Sequence, residues 1–68
     1  MDTKVLKDLR VDNGLTQRDL ARIAGISERG YQLYEHGERI PDARIASRIA
    51  KALHTTVEQL WGDVPTTA

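Results

Sequence analysis

A single glycine, Gly25, stands between two short amphipathic patterns in the stretch Gln17 to His36, QRDLARIAGISERGYQLYEH. That junction restricts the chain more than any other feature. Leu20, Ala21 and Ala24 recur at the spacing that puts side chains on one helical face, and Tyr31 and Tyr34 do the same beyond the glycine. A glycine ending one helix takes a positive φ without steric cost, so a second helix can begin after a turn of about three or four residues. Ile26 is expected to point inward and Ser27 to cap the helix that follows. The arrangement predicted is a helix-turn-helix. Ala21 suits it, because a larger side chain would hold apart two helices that cross steeply over a tight turn.

The flanking chain reads as helical support. Val5, Leu6 and Leu9 predict a first helix over about 2–11, stopped by Asn13 and Gly14. Thr16, followed three residues later by Asp19, has the form of a capping box and sets the second helix at about 17–24. The third is expected over about 28–36, with Gly37 at its end. Gly30 inside it is costly by about 1 kcal/mol relative to alanine. Either packing holds this helix, or something must approach its backbone closely. Pro41 marks a loop. Asp42 then caps a fourth helix with an apolar stripe of Ile45, Ile49 and Leu53 beside Ala46 and Ala50, leaving Arg44, Ser47, Arg48 and Lys51 opposite. A last short helix begins at either of two caps, Thr56 with Gln59 or Thr55 with Glu58, and closes with Leu60 and Trp61. The expected fold is all-α, a compact five-helix domain over 1–64 with a disordered tail over 65–68.

Composition narrows the function classes. A domain of 68 residues buries only about 60% of its unfolded surface. With no cysteine, neither a disulfide nor a thiolate zinc site can add to that, and a reducing cytoplasm suits the chain. No run of about 18 apolar residues and no signal-peptide layout is present, so no membrane partner is expected. His36 and His54 are the two imidazoles. Without a set of closely spaced ligands or a nucleophile beside a base, neither a metal site, a cofactor, a small-molecule ligand nor an enzyme is expected. Ten Lys and Arg balance ten Asp and Glu, which argues against a nonspecific nucleic-acid coat protein but leaves room for a local basic face.

The ordered set Leu9-Arg10, Gly14-Leu15-Thr16-Gln17, Leu20-Ala21, Gly25-Ile26-Ser27, Tyr34-Glu35-His36-Gly37, Pro41 and Ala50-Lys51-Ala52-Leu53 resembles the lambda-repressor-like, or Cro/C1-type (XRE), helix-turn-helix domains. The likeness runs from Leu6 to Trp61. It implies that Gln17 and the third helix face double-stranded DNA, with the third helix in the major groove. It also implies that Arg10 and Glu35 form a partly buried ion pair tying the first helix to the third. Glu28 is acidic where the pattern often has a neutral or basic reader, His54 replaces a common glycine, and Thr55 replaces an apolar residue.

Residue chemistry gives the same face independently. With Tyr31 and Tyr34 inside, the outer side of the third helix carries Glu28, Arg29, Gln32, Leu33 and His36, beside the cap Ser27. Arg29 can pair with guanine, Gln32 with adenine and Glu28 with the cytosine amino group. Arg29 can equally be a solvated charge or a local partner of Glu28. Leu33 is either a thymine-methyl contact or a peripheral core residue. Thr16, Gln17 and Arg18 lie at a helix N-terminus suited to phosphate, or serve only as cap and solubilising residues. Arg39 and Arg44 are further candidates for phosphate. Val57, Leu60 and Trp61 are more apolar than so small a core demands, which suggests a homodimer interface, with a core role for Trp61 as the other reading. Two functions follow: a sequence-specific DNA-binding regulator, a repressor acting as a dimer on a palindromic operator, or a protein-interaction adaptor that keeps the fold.

Overall fold

A computed structural model describes residues 4–62. Five helices follow one another: α1 (Lys4–Asp12), α2 (Gln17–Ala24), α3 (Glu28–Glu35), α4 (Ala43–Ala52) and α5 (Val57–Trp61). No strand occurs among the described residues. α2 packs against both α3 and α4, and α5 closes the other side against α4 and α1, while α1 also touches α3.

The caps explain the boundaries. Asn13 ends α1 by donating both its backbone N–H and its side-chain amide to the Leu9 carbonyl, at 3.0 and 2.7 Å. α1 therefore runs one residue past the expected end; positions 2 and 3 of the expected helix, and the expected tail at 65–68, lie outside the described residues. Asp42 caps α4 by accepting from the Ile45 amide at 2.9 Å. At α5 the structure chooses Thr56, whose hydroxyl accepts from the Gln59 amide at 3.2 Å. The expected reciprocal bond from the Thr56 backbone N–H to the Gln59 side chain is not made. The Gln59 side chain instead accepts from the Thr55 hydroxyl at 2.7 Å, so each threonine takes one half of the role.

Burial selects one face of each helix. Leu6, Leu20, Ala21, Ala24, Tyr31, Ala46, Ile49 and Leu53 are almost wholly enclosed, and Leu9, Leu15, Ile26 and Ile45 pack half-buried at the edge. Alanine at 21, 24, 46 and 50 lets α2 and α4 approach closely. Leu60 requires a correction, whereas Trp61 follows its core reading. Both are buried within the single chain, at 3% and 2% exposure, so the surface expected at a dimer interface belongs to the core. So small a domain has few large apolar side chains to enclose, and the indole is one of them. Val57 packs partly against the same cluster.

Candidate nucleic-acid interface

The turn is built from backbone chemistry the sequence supplies. Thr16 (φ −87°, ψ 166°) accepts from the Asp19 amide at 3.0 Å, and the Asp19 carboxylate accepts from the Thr16 amide at 2.9 Å. The bond from the Thr16 backbone N–H, with the Thr16 hydroxyl beside it, holds the Asp19 carboxyl below its ordinary pKa. At the other end Gly25 adopts φ 78°, ψ 31°. Its N–H donates to the Arg22 carbonyl at 3.1 Å, and Ile26 donates to Ala21 at 2.9 Å, which satisfies two of the carbonyls a helix end leaves open. Ser27 then restarts the chain as a helix by accepting from the Gly30 amide at 3.0 Å.

Gly30 lies against that cap. A Cβ there would lie 3.3 Å from the Ser27 Oγ and 4.0 Å from the Ile26 Cδ1. The approach is tight but not prohibitive, since Asp19, Ile45 and Gln59 hold side chains at the same position relative to their caps.

α3 is divided lengthwise. Tyr31 and Tyr34 are buried with their rings edge to face, centroids 6.5 Å apart and planes at 85°. Glu28, Arg29 and His36 are exposed, whereas Gln32 and Leu33 are half-buried. Among the described residues Glu28 and Arg29 form no ion pair with each other. Leu33, half-buried, keeps surface for a partner. Thr16, Arg18, Ser27, Arg39 and Arg44 are exposed. Arg39 lies in the segment after α3 and Arg44 in the first turn of α4.

Arg10 and Glu35 come together across α1 and α3. The Arg10 Nε donates to Glu35 Oε2, Nη2 lies 3.5 Å from Oε1, and Nη1 donates to the Leu15 carbonyl at 2.8 Å. Their side chains are 12% and 4% exposed. Burial alone would raise the Glu35 pKa. Hydrogen bonds from Arg10 and Gln17, with the nearby Tyr31 hydroxyl and the Arg10 charge, outweigh it, and the net shift is downward. The bond to Glu35 raises the Arg10 pKa in turn against the burial that opposes it. Beside them the buried Tyr31 hydroxyl interacts with both groups but lacks a well-formed hydrogen bond, and burial pushes its pKa far upward.

Two features lie beyond what sequence reasoning reached. Gln17 is half-buried; its Nε2 donates to Glu35 Oε1 at 3.1 Å and its Oε1 accepts from Gln32 Nε2 at 3.3 Å. Arg48, expected on the solvated side of α4, donates from Nη1 to the Ala24 carbonyl at 3.1 Å and so holds the last turn of α2. A cation one helix away from a glycine-terminated helix was the available signal. Among the described residues no group of three or more His, Cys, Asp or Glu is placed to hold a metal. No helix there is long and apolar enough to cross a membrane.

Comparison with known proteins agrees with this geometry. The chain is 41% identical over 49 residues to an HTH-type transcriptional regulatory protein of Pyrococcus horikoshii, and 39% identical over 49 residues to one of Pyrococcus abyssi. Each match covers 72% of this chain and 16% of the relative. Over 66 residues it is 29% identical to the transcriptional repressor RstR of the cryptic phage CTXphi of Vibrio cholerae, covering 97% of this chain and 60% of that protein. The chain thus spans less than two thirds of the length of each of these relatives. No solved structure matches it. A family model described as helix-turn-helix matches residues 6–60, which takes in all of α2 to α4, and the chain belongs to that family, of the Cro/C1 type.

Proposed function

We propose that the chain is a sequence-specific double-stranded-DNA-binding transcriptional regulator, a cytoplasmic repressor that sets α3 in the major groove of a palindromic operator as a homodimer. The observation that carries this reading is the division of α3. Its two tyrosines are buried, while Arg29 and Glu28 stand exposed and unpaired in the first turn of a helix anchored by Ser27. A helix so mounted presents its N-terminal side chains to base edges. Arg29 can donate its planar fork to O6 and N7 of guanine, a contact worth about 1 to 3 kcal/mol of discrimination. Glu28 works as a filter, since a carboxylate near phosphates lowers affinity everywhere except where a cytosine amino group meets it.

Two-fold pairing doubles the contacts and sets half-sites about 34 Å apart. Of the three residues expected at the dimer contact, only Val57 keeps exposed surface. The adaptor reading is favoured by the zero net charge and by Glu28.

Selection of bound sequences from random duplex DNA separates the two, with Arg29→Ala run in parallel. The regulator reading expects wild-type protein to select a two-fold site, and Arg29→Ala to lose about 1 to 3 kcal/mol with preference flattened at one base pair. An unchanged selected sequence and affinity in Arg29→Ala refutes the assignment of the recognition helix. A wild-type protein that selects nothing hands the case to the adaptor. Sedimentation as a monomer, with and without DNA, removes the dimer.

A further inference from the structure

Asn13 is the only asparagine in the 68 residues, and a glycine follows it. The pair closes α1. Gly14 takes φ 71° and donates its N–H to the Val11 carbonyl at 2.9 Å, while Leu15 donates to the Arg10 carbonyl at 3.1 Å, the two bonds of a Schellman end. The Asn13 side-chain amide donates to the Leu9 carbonyl at 2.7 Å. Both residues are exposed, and a Cβ on Gly14 would meet nothing within 4 Å. An unhindered backbone nitrogen thus follows a solvent-exposed carboxamide, and a helix carbonyl engages each of the two groups.

We propose that Asn13 is a site of spontaneous deamidation, gated by opening of the last turn of α1, and that its products loosen the tie between α1 and α3. The Gly14 nitrogen gives its proton to solvent base and attacks Asn13 Cγ. The new C–N bond closes a five-membered succinimide, and the bond from Cγ to Nδ2 breaks as ammonia leaves. Water then adds to one of the two ring carbonyls. Opening at Cγ gives aspartate; opening at the main-chain carbonyl gives isoaspartate, whose backbone runs through Cγ and is one methylene longer. The net change is amide plus water to acid plus ammonia, with no further reactant. Glycine favours the attack because it carries no side chain beside the nitrogen. Gln17, Gln32 and Gln59 would have to close a larger ring, and each precedes a bulky residue. In the closed cap the Gly14 N–H is held by Val11 and the Asn13 carboxamide by Leu9, so the ring forms only once both are released.

Either product weakens the helix end. Aspartate loses the amide donor to Leu9 and adds a carboxylate beside Asp12 at the negative end of the helix dipole. The longer backbone of isoaspartate displaces Leu15, whose N–H meets the Arg10 carbonyl and whose own carbonyl accepts from Arg10 Nη1 at 2.8 Å. Arg10 is also the partner of Glu35, so a lesion in a surface turn reaches the buried pair. This chemistry is independent of the DNA-binding reading.

The test is incubation of the whole protein in mildly alkaline buffer, native and in urea, followed by mass spectrometry of its peptides, with protein isoaspartyl methyltransferase distinguishing isoaspartate from aspartate. Expected is conversion at Asn13 in both, slower in the native protein by about tenfold to a hundredfold, as local opening allows. The native rate should rise with mild urea in step with hydrogen exchange at the Gly14 amide. A native rate less than about tenfold below the unfolded one, or one that parts from that exchange, refutes the gate. Native protein unconverted after about a hundredfold the unfolded half-life refutes the site. Asn13→Ser should show no conversion, and acid still formed in that variant overturns the assignment to Asn13.

Asn13→Asp reproduces one product and should lower the melting temperature by about 4 to 8 °C, as loss of one hydrogen bond would. The isoaspartate fraction, separated by chromatography, should melt lower still, with the Arg10 Nε–H exchanging faster by NMR. An isoaspartate fraction that melts with the fresh protein refutes the coupling to Arg10.

Discussion

Replacing Arg10 by methionine should cost this domain a large part of its stability, and the structure indicates how much. Glu35 is 4% exposed and Arg10 12%, so the substitution leaves a nearly enclosed carboxylate with Gln17 as its remaining well-formed partner. Breaking such a pair from one side costs about 3 to 5 kcal/mol when burial is deep. Loss of the bond to the Leu15 carbonyl adds about 0.5 to 1.5 kcal/mol. For 68 residues the whole stability is on the order of 3 to 10 kcal/mol, so Arg10→Met should stand near the edge of folding. Urea denaturation at pH 7 measures it, with the slope against urea checking that both states keep their compactness.

Glu35→Gln supplies the control. In the Arg10→Met background it removes the stranded charge and keeps an acceptor for Gln17, so it should recover at least half of the loss. The pH dependence should invert as well. In wild type the Glu35 pKa is below its ordinary value of 4.5, so the pair's contribution is complete above that value and lost as pH falls through the folded-state pKa. Without Arg10 the burial that raises the pKa dominates, and acidification toward 4.5 should stabilise the variant. A loss under about 1 kcal/mol, or no recovery with Glu35→Gln, would refute the reasoning, since either shows that the pair is hydrated and not a buried tie.

Two other outcomes follow from particular residues. His54 has φ 57°, in the left-handed region where a side chain is strained; His54→Gly should raise stability by about 1 kcal/mol, or the melting temperature by about 4 to 8 °C, measured by thermal unfolding. A lower midpoint would show that the imidazole makes a compensating contact. Arg39→Ala and Arg44→Ala should each weaken binding to all DNA sequences alike and reduce the slope of log affinity against log salt by about one unit, in titrations across salt concentrations. Unchanged slopes in both would move the phosphate contacts to other cations.

What could be read from the sequence was what neighbours in the chain decide. The limits of α2 rest on Thr16, Asp19 and Gly25, each acting within four residues, and they fall where expected. Ser27 and Asp42 likewise state their helices' starts in advance. The α5 start was ambiguous because Thr55 and Thr56 offer equivalent local chemistry, and the choice depends on how the helix seats on α4 and α1. Functional roles were harder wherever the partner is remote. Gln17 is bonded to a residue 18 positions away and Arg48 to one 24 away, so periodicity placed both correctly on their helices but could not say what they touch. Leu60 and Trp61 show the limit of apolarity as a signal. Hydrophobic residues in a short helix read alike whether they close a core or meet a second copy, and only the seating of α5 on α4 and α1 decides it.

The Arg48 bond to the Ala24 carbonyl has a dynamic consequence. α2 is held at its last turn by a side chain from α4 and at its first turn by the Gln17 bond to α3. Neither α2 nor α3 can swing away singly without giving up a hydrogen bond to a charged group, worth about 1.5 to 3 kcal/mol. The three helices should therefore open together. Backbone amides along α2, α3 and α4 are expected to exchange with solvent deuterium at rates set by a single opening event, while those of α1 and α5 exchange through smaller fluctuations of their own. A reading surface mounted in this way shares the rigidity of the whole central block, and fluctuation of α3 by itself contributes little to how the protein meets its ligand.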